Sequence, residues 1–182
     1  KFHDIPDQVE GACRSAATLG AALMTVHASG GRAMLEAAVR GANEGASVAG
    51  LQSPRVLAVT VLTSLDASDL SEMGIERSTE DQVLALARLS RSAGCGGIVA
   101  SPQELPLLRP ALPASFGILT PGIRPAGSAK GDQKRVTTPA DAIWGGSDWL
   151  VVGRPIRQAP DRVDAARAIL EEMATALRER GT

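Results

Sequence analysis

A lysine and an aspartate three positions apart, in Lys1-Phe2-His3-Asp4-Ile5-Pro6, are the residues of this chain best suited to chemistry. An ammonium and a carboxylate at that spacing, where an apolar run gives way to proline, either form an ordinary salt bridge or hold charge ready at the end of a strand. Two further places offer anion chemistry. In Leu150-Val151-Val152-Gly153-Arg154 an aliphatic run ends in a glycine, whose N–H an anion can approach closely, and a forked guanidinium follows at once. The stretch 124–135 mixes glycine and serine hinges with Arg124, Lys130, Lys134, Arg135 and the amide of Gln133, which suits either closure over a phosphate or a solvated basic loop. His27, ahead of Ala28-Ser29-Gly30-Gly31, reads either as a packing residue at a strand end or as a ligand contact. His3 alternates with Phe2 and shares a strand face with Lys1. Neither histidine has a metal partner at useful spacing, and Cys13 and Cys95 read as isolated, buried thiols of a reducing cytoplasm.

The elements that must carry these groups alternate along the chain. Short aliphatic or β-branched runs predict strands at 1–5, 23–27, 56–62, 97–100, 116–119 and 149–152, and amphipathic stretches predict helices near 8–19, 31–45, 79–93, 102–108, 139–144 and 162–178. Strands that are apolar almost throughout belong in a parallel sheet covered by helices, so repeated βα order leaves a doubly wound sheet or a (β/α)8 barrel. Both place their sites at the C-terminal edge, where Asp4, His27, Thr63, Ser101, Thr120 and Gly153 all fall. No linker divides the chain, so residues 1–182 read as one domain.

Composition narrows the partners. Nineteen Lys and Arg against twenty Asp and Glu leave a net charge of −1, and with only 2% aromatic residues and no tyrosine there is neither a general attraction for nucleic acid nor a base-stacking surface. The apolar runs are too short to span a bilayer, so a cytoplasmic protein without membrane contact is expected.

Taken in order, Lys1-Phe-His-Asp4-Ile-Pro6, Thr25-Val-His27-Ala-Ser-Gly-Gly31, Val59-Thr-Val-Leu-Thr63-Ser64, Thr120-Pro-Gly-Ile-Arg124-Pro125, Gly131-Asp-Gln133 and Val152-Gly-Arg154-Pro155 resemble the orotidine 5′-phosphate decarboxylase family over the whole chain. The resemblance implies a homodimeric, cofactor-free and metal-free (β/α)8 barrel that converts orotidine monophosphate to uridine monophosphate and carbon dioxide. It further implies that the chain carries strands three to eight, with two βα units expected ahead of Lys1. On the family pattern Lys1 matches the proton-donating lysine, and Asp4 matches the aspartate that reaches into the partner subunit's site. Ile5 and Thr63 match substrate-binding positions, while Arg124, Gln133, Gly153 and Arg154 match positions that hold the phosphate. Asp7-Gln8 stands where the family usually has Asn-Thr, so Gln8 replaces a threonine contact. The alternatives are a related sugar-phosphate decarboxylase barrel that uses magnesium, and a non-catalytic nucleotide-binding fragment.

Overall fold

The computed structural model describes residues 1–125 and 137–181, so the expectations for Lys130, Gln133, Lys134 and Arg135 lie outside the described residues. Five strands, β1 (Leu23–His27), β2 (Arg55–Val59), β3 (Gly97–Val99), β4 (Gly117–Thr120) and β5 (Trp149–Leu150), form one sheet. All neighbours are parallel and the spatial order equals the chain order. A doubly wound sheet reverses its strand order at a switch point. This one never reverses, which decides the question left open by composition in favour of a barrel wall.

The expected strand at 1–5 is reduced to one parallel bridge, Phe2 opposite Val26, closed by Phe2 N–H to the Thr25 carbonyl (3.1 Å) and His27 N–H to the Phe2 carbonyl (3.0 Å). It is short because Asp4 folds back to accept from the Ile5 N–H at 2.7 Å and Pro6 then opens α1 (Pro6–Ala17), proline's fixed φ suiting the first helical position. β5 is likewise shorter than the apolar run suggests, since its partner β4 gives out at Pro121.

Strand alternation sorts side chains into two cores. Met24, Val26, Val56, Ala58, Ile98 and Ile118 pack beneath the helices, joined by Phe2. Leu57, Val59, Val99 and Leu119 pack on the concave face with Leu23 and Trp149. Gly117 makes room for the tryptophan: a Cβ there would run into the Trp149 ring. Interior space in a barrel is filled by such complementary large and small residues rather than left as a pore.

Beside β1, α1 packs on α2 (Gly31–Ala49), whose Gly41 and Gly45 let the helices touch; a Cβ at either would strike the Glu10 or Arg14 backbone carbonyl. Arg14 and Arg40 bridge Glu10 and Glu44 along the rim of this contact. The helix that follows Lys1 and Asp4 is thereby seated through its backbone. The remaining helices are α3 (Ala67–Glu72), α4 (Thr79–Ser92), α5 (Leu105–Ala111), α6 (Pro139–Trp144), α7 (Arg154–Arg157) and α8 (Arg162–Arg180). Neither α3 nor α7 was expected. Each is too short to show an apolar period, and α3 buries only Leu70, although its Asp66 and Asp69 form a capping box.

Candidate active site

Because Phe2 enters the helix-side core, its neighbours Lys1 and His3 fall on the concave face of the wall, beside Thr25 and His27 of β1. The expected sharing of one face by Lys1 and His3 holds, and His3 stacks on His27 with ring centroids 5.2 Å apart. Burial first, then His3 and Lys1, hold the His27 imidazole below its ordinary value, so it stays neutral where a free histidine would begin to charge.

The ordinary salt bridge between Lys1 and Asp4 does not form: among the described residues no ion pair joins them. Asp4 is exposed at the rim, its carboxylate turned onto the Ile5 N–H, and Ile5 is itself 63% exposed. Next to them lies a cleft of about 570 Å³ lined by His3, Asp4, Ile5, Pro6, Ser29 and Gly30. A second cavity, of about 290 Å³, brings Gln8 together with Lys1, His3 and Asp4. The one departure from the family pattern noted in the sequence therefore lines the same space as the charged pair.

The other expected residues follow the strands in turn. Thr63 is half-buried in the turn after β2. Ser101, wholly buried after β3, forms a capping box with the buried Glu104, whose carboxylate accepts the Ser101 N–H at 2.9 Å. The Ser-x-x-Glu spacing of residues 101–104 is the sequence signal for that box.

After β4, Arg124 is buried, donates to the Ile123 carbonyl at 2.9 Å, and takes part in a bridge in which its N–H reaches the Thr137 carbonyl. Ile123 pairs with Thr137 in an isolated parallel bridge, which sets the segment after β4 beside the one that leads into α6. After β5, Gly153 is exposed with open space where a Cβ would stand, and the half-buried Arg154 begins α7. Parallel pairing thus brings Lys1, Asp4, Thr63, Arg124, Gly153 and Arg154 to one edge of the sheet, with the amine and the Gly153-Arg154 corner at its two ends.

Deeper in the fold lies a scaffold that the sequence did not announce. Arg109 donates to the Gly146 and Phe116 carbonyls and pairs with Asp148, which also accepts the Ile118 N–H. Thr120 and Ser147 share a buried hydroxyl contact of 2.8 Å. These partners fasten β4 to the start of β5, the two strands before Gly153 and Arg154. Cys13 and Cys95 are buried and free, as expected, and burial raises their thiols to about 11 and about 12. Among the described residues there is no cluster of three or more metal-ligating side chains, and no helix is long and apolar enough to cross a membrane.

Comparison with known proteins agrees with this arrangement. Residues 1–169 match the family described as "Orotidine 5'-phosphate decarboxylase / HUMPS family". Proteins named orotidine 5′-phosphate decarboxylase from Anaeromyxobacter sp. (strain K) and Moorella thermoacetica are 57% and 53% identical, over 93% and 95% of this chain and 71% and 69% of their own lengths. The crystal structure of orotidine 5′-phosphate decarboxylase from Lactobacillus acidophilus superposes with a TM-score of 0.83 at 38% identity, covering 95% of this chain and 72% of that one. By sequence and fold together, this chain belongs to the orotidine 5′-phosphate decarboxylase / HUMPS family.

Proposed function

We propose that the protein removes carbon dioxide from orotidine 5′-monophosphate to give uridine 5′-monophosphate, with no metal or organic cofactor, as one barrel domain over residues 1–182 acting in the cytoplasm. The observation that carries this reading is that Lys1 and Asp4 flank the bridge of Phe2 to Val26 and line one cavity, in a chain 57% identical to a protein of that name.

Loss of carbon dioxide from the pyrimidine ring leaves a carbanion in the ring plane that no carbonyl delocalises, so its stabilisation must be electrostatic and preorganised. Lys1 offsets that charge and delivers the proton that replaces carbon dioxide. Asp4 works across the interface of a homodimer. Its exposure, and the absence of an ion pair to Lys1 among the described residues, support that role. Thr63 and Ile5 hold the nucleotide, and Arg124, Gly153, Arg154 and Gln133 hold its phosphate, whose binding energy is expressed in the transition state although it lies far from the breaking bond.

Release of carbon dioxide from orotidine monophosphate, with uridine monophosphate as product, tests the reading. Activity that survives a chelator separates it from a magnesium-dependent sugar-phosphate decarboxylase. Mixing Lys1→Ala and Asp4→Ala variants, each inactive alone, should restore activity, because a mixed dimer retains one site with both groups intact. A folded protein that binds the product nucleotide but releases no carbon dioxide would overturn the assignment.

A further inference from the structure

We propose that Asp148 is a positioning residue for Arg154: it fixes the register of β5 against β4, and with it the height at which Gly153 and Arg154 stand at the C-terminal edge of the sheet. The inference rests on the reading of Gly153 and Arg154 as the seat of the nucleotide's phosphate.

Asp148 closes a ring of bonds with a single residue of β4. Its N–H donates to the Ile118 carbonyl at 2.9 Å, and its carboxylate accepts the Ile118 N–H at 2.7 Å. Both backbone groups of Ile118 are therefore committed to position 148, and a β5 shifted by one residue would lose both bonds. Ladder pairing with β4 covers Trp149 and Leu150, so this ring is a large part of what defines the register.

The carboxylate is itself held from behind. Arg109, on α5, pairs with it and donates to the Gly146 carbonyl at 2.6 Å and the Phe116 carbonyl at 3.2 Å, so one guanidinium spans the starts of both strands. The turn is closely fitted around that side chain. Gly146 has φ +98°, and a Cβ there would lie 2.9 Å from the Arg109 Cγ. Neighbours on either side of Asp148 are pinned as well. The Ser147 hydroxyl donates to the Trp149 carbonyl at 2.9 Å and meets the Thr120 hydroxyl at 2.8 Å. The Trp149 ring lies against Gly117, with the Arg55 guanidinium 5.7 Å from its centroid.

All of these contacts gather at residues 146–149, the start of β5, whereas Gly153 and Arg154 follow its end. Asp148 thus acts through Arg154 and not on the substrate. A slip of one residue moves everything beyond it by about 3.3 Å and turns each side chain to the other face. A guanidinium holds a phosphate oxygen at about 2.7–2.9 Å, so even a fraction of such a slip takes Arg154 out of reach. A misplacement of about 1 Å is enough to cost a factor of about 100 in rate.

Titration calorimetry of the intact protein with uridine 5′-monophosphate and with uridine tests the inference. Asp148→Ala should weaken binding of the nucleotide about tenfold or more and that of the nucleoside less than about twofold, a split that general loosening of the fold does not produce. Added to Arg154→Ala it should cost nothing further, because both changes remove one contact. Without ligand, the Gly153 and Arg154 amide NMR signals should shift in the same variant. Asp148→Asn keeps an oxygen for the Ile118 N–H but loses the ion pair with Arg109; it should show the same selectivity at about threefold, and it carries the test should the alanine variant fail to fold. Nucleotide and nucleoside weakened alike, losses that add to those of Arg154→Ala, or unshifted Gly153 and Arg154 signals would overturn the inference. A parent protein that binds no nucleotide overturns the phosphate reading and the inference with it. The expected coupling in a protein that releases no carbon dioxide leaves Asp148 in its role and removes only the assigned reaction.

Discussion

At the lysine end of the sheet, β1 is paired along five residues with β2, and the helix following Lys1 sits backbone to backbone on α2 at Gly41 and Gly45. At the far end, β5 pairs with β4 over two residues, Val151 beyond it is 46% exposed, and α8 leaves Val163 and Leu170 58% and 62% exposed. Gly153 and Arg154, the proposed phosphate corner, follow that second region. Its rigidity comes from behind, where Arg109, Asp148, Thr120 and Ser147 tie the two strands together. An amine that must meet one atom of a reacting ring needs close placement, whereas a doubly charged phosphate is attracted from many directions and tolerates a looser seat.

The sharpest way to break this contrast is Lys1→Ala in the active enzyme. Removing both the stabilising charge and the proton source should lower kcat by about a thousandfold or more, read from carbon dioxide release under saturating substrate. A residual rate near that of the parent would mean that the lysine end is scaffold only. Arg154→Ala at the other end should cost about 3 kcal/mol of transition-state stabilisation in kcat/KM, the scale of a lost phosphate partner.

Two glycines sharpen the comparison in stability rather than rate. Gly117→Ala drives a methyl into the Trp149 ring and should destabilise the fold by about 1–3 kcal/mol in urea unfolding. At Gly153 a methyl enters open space at φ −103°, so Gly153→Ala should move stability by less than about 0.5 kcal/mol. Equal losses at the two sites would contradict the contrast between a filled interior and an open corner.

Alkaline titration gives the smallest effect near neutrality. The Cys13 and Cys95 thiols, raised from 9.0 to about 11 and about 12, keep their protons more tightly when folded. Their contribution is intact below pH 9.0 and fades as pH rises toward 11 and 12. The slope is at most about 1.4 kcal/mol per pH unit for each thiol. Cys95→Ala should flatten that slope in urea midpoints, and an unchanged slope would place the thiol in contact with water.

Alternating strand and helix periods made the βα order legible, and the positions of Thr63, Ser101, Thr120 and Gly153 after apolar runs placed each of them at or just beyond a strand end. Long amphipathic helices such as α2, α4 and α8 fell within a few residues of expectation because burial of one face repeats with the helical period. The short helices α3 and α7 did not, having too few turns for any period to show.

What the linear order determined by itself is therefore which residues can meet at one edge of a parallel sheet. Composition could not decide between a barrel and a doubly wound sheet, because both bury the same apolar strands; the unreversed strand order decided it. Gln8 lining the cavity of Lys1 and His3 resting on His27 were likewise settled only by tertiary structure. Each depends on register between segments more than 20 residues apart or on a helix seated by a distant glycine, and such contacts leave no periodic trace in the chain.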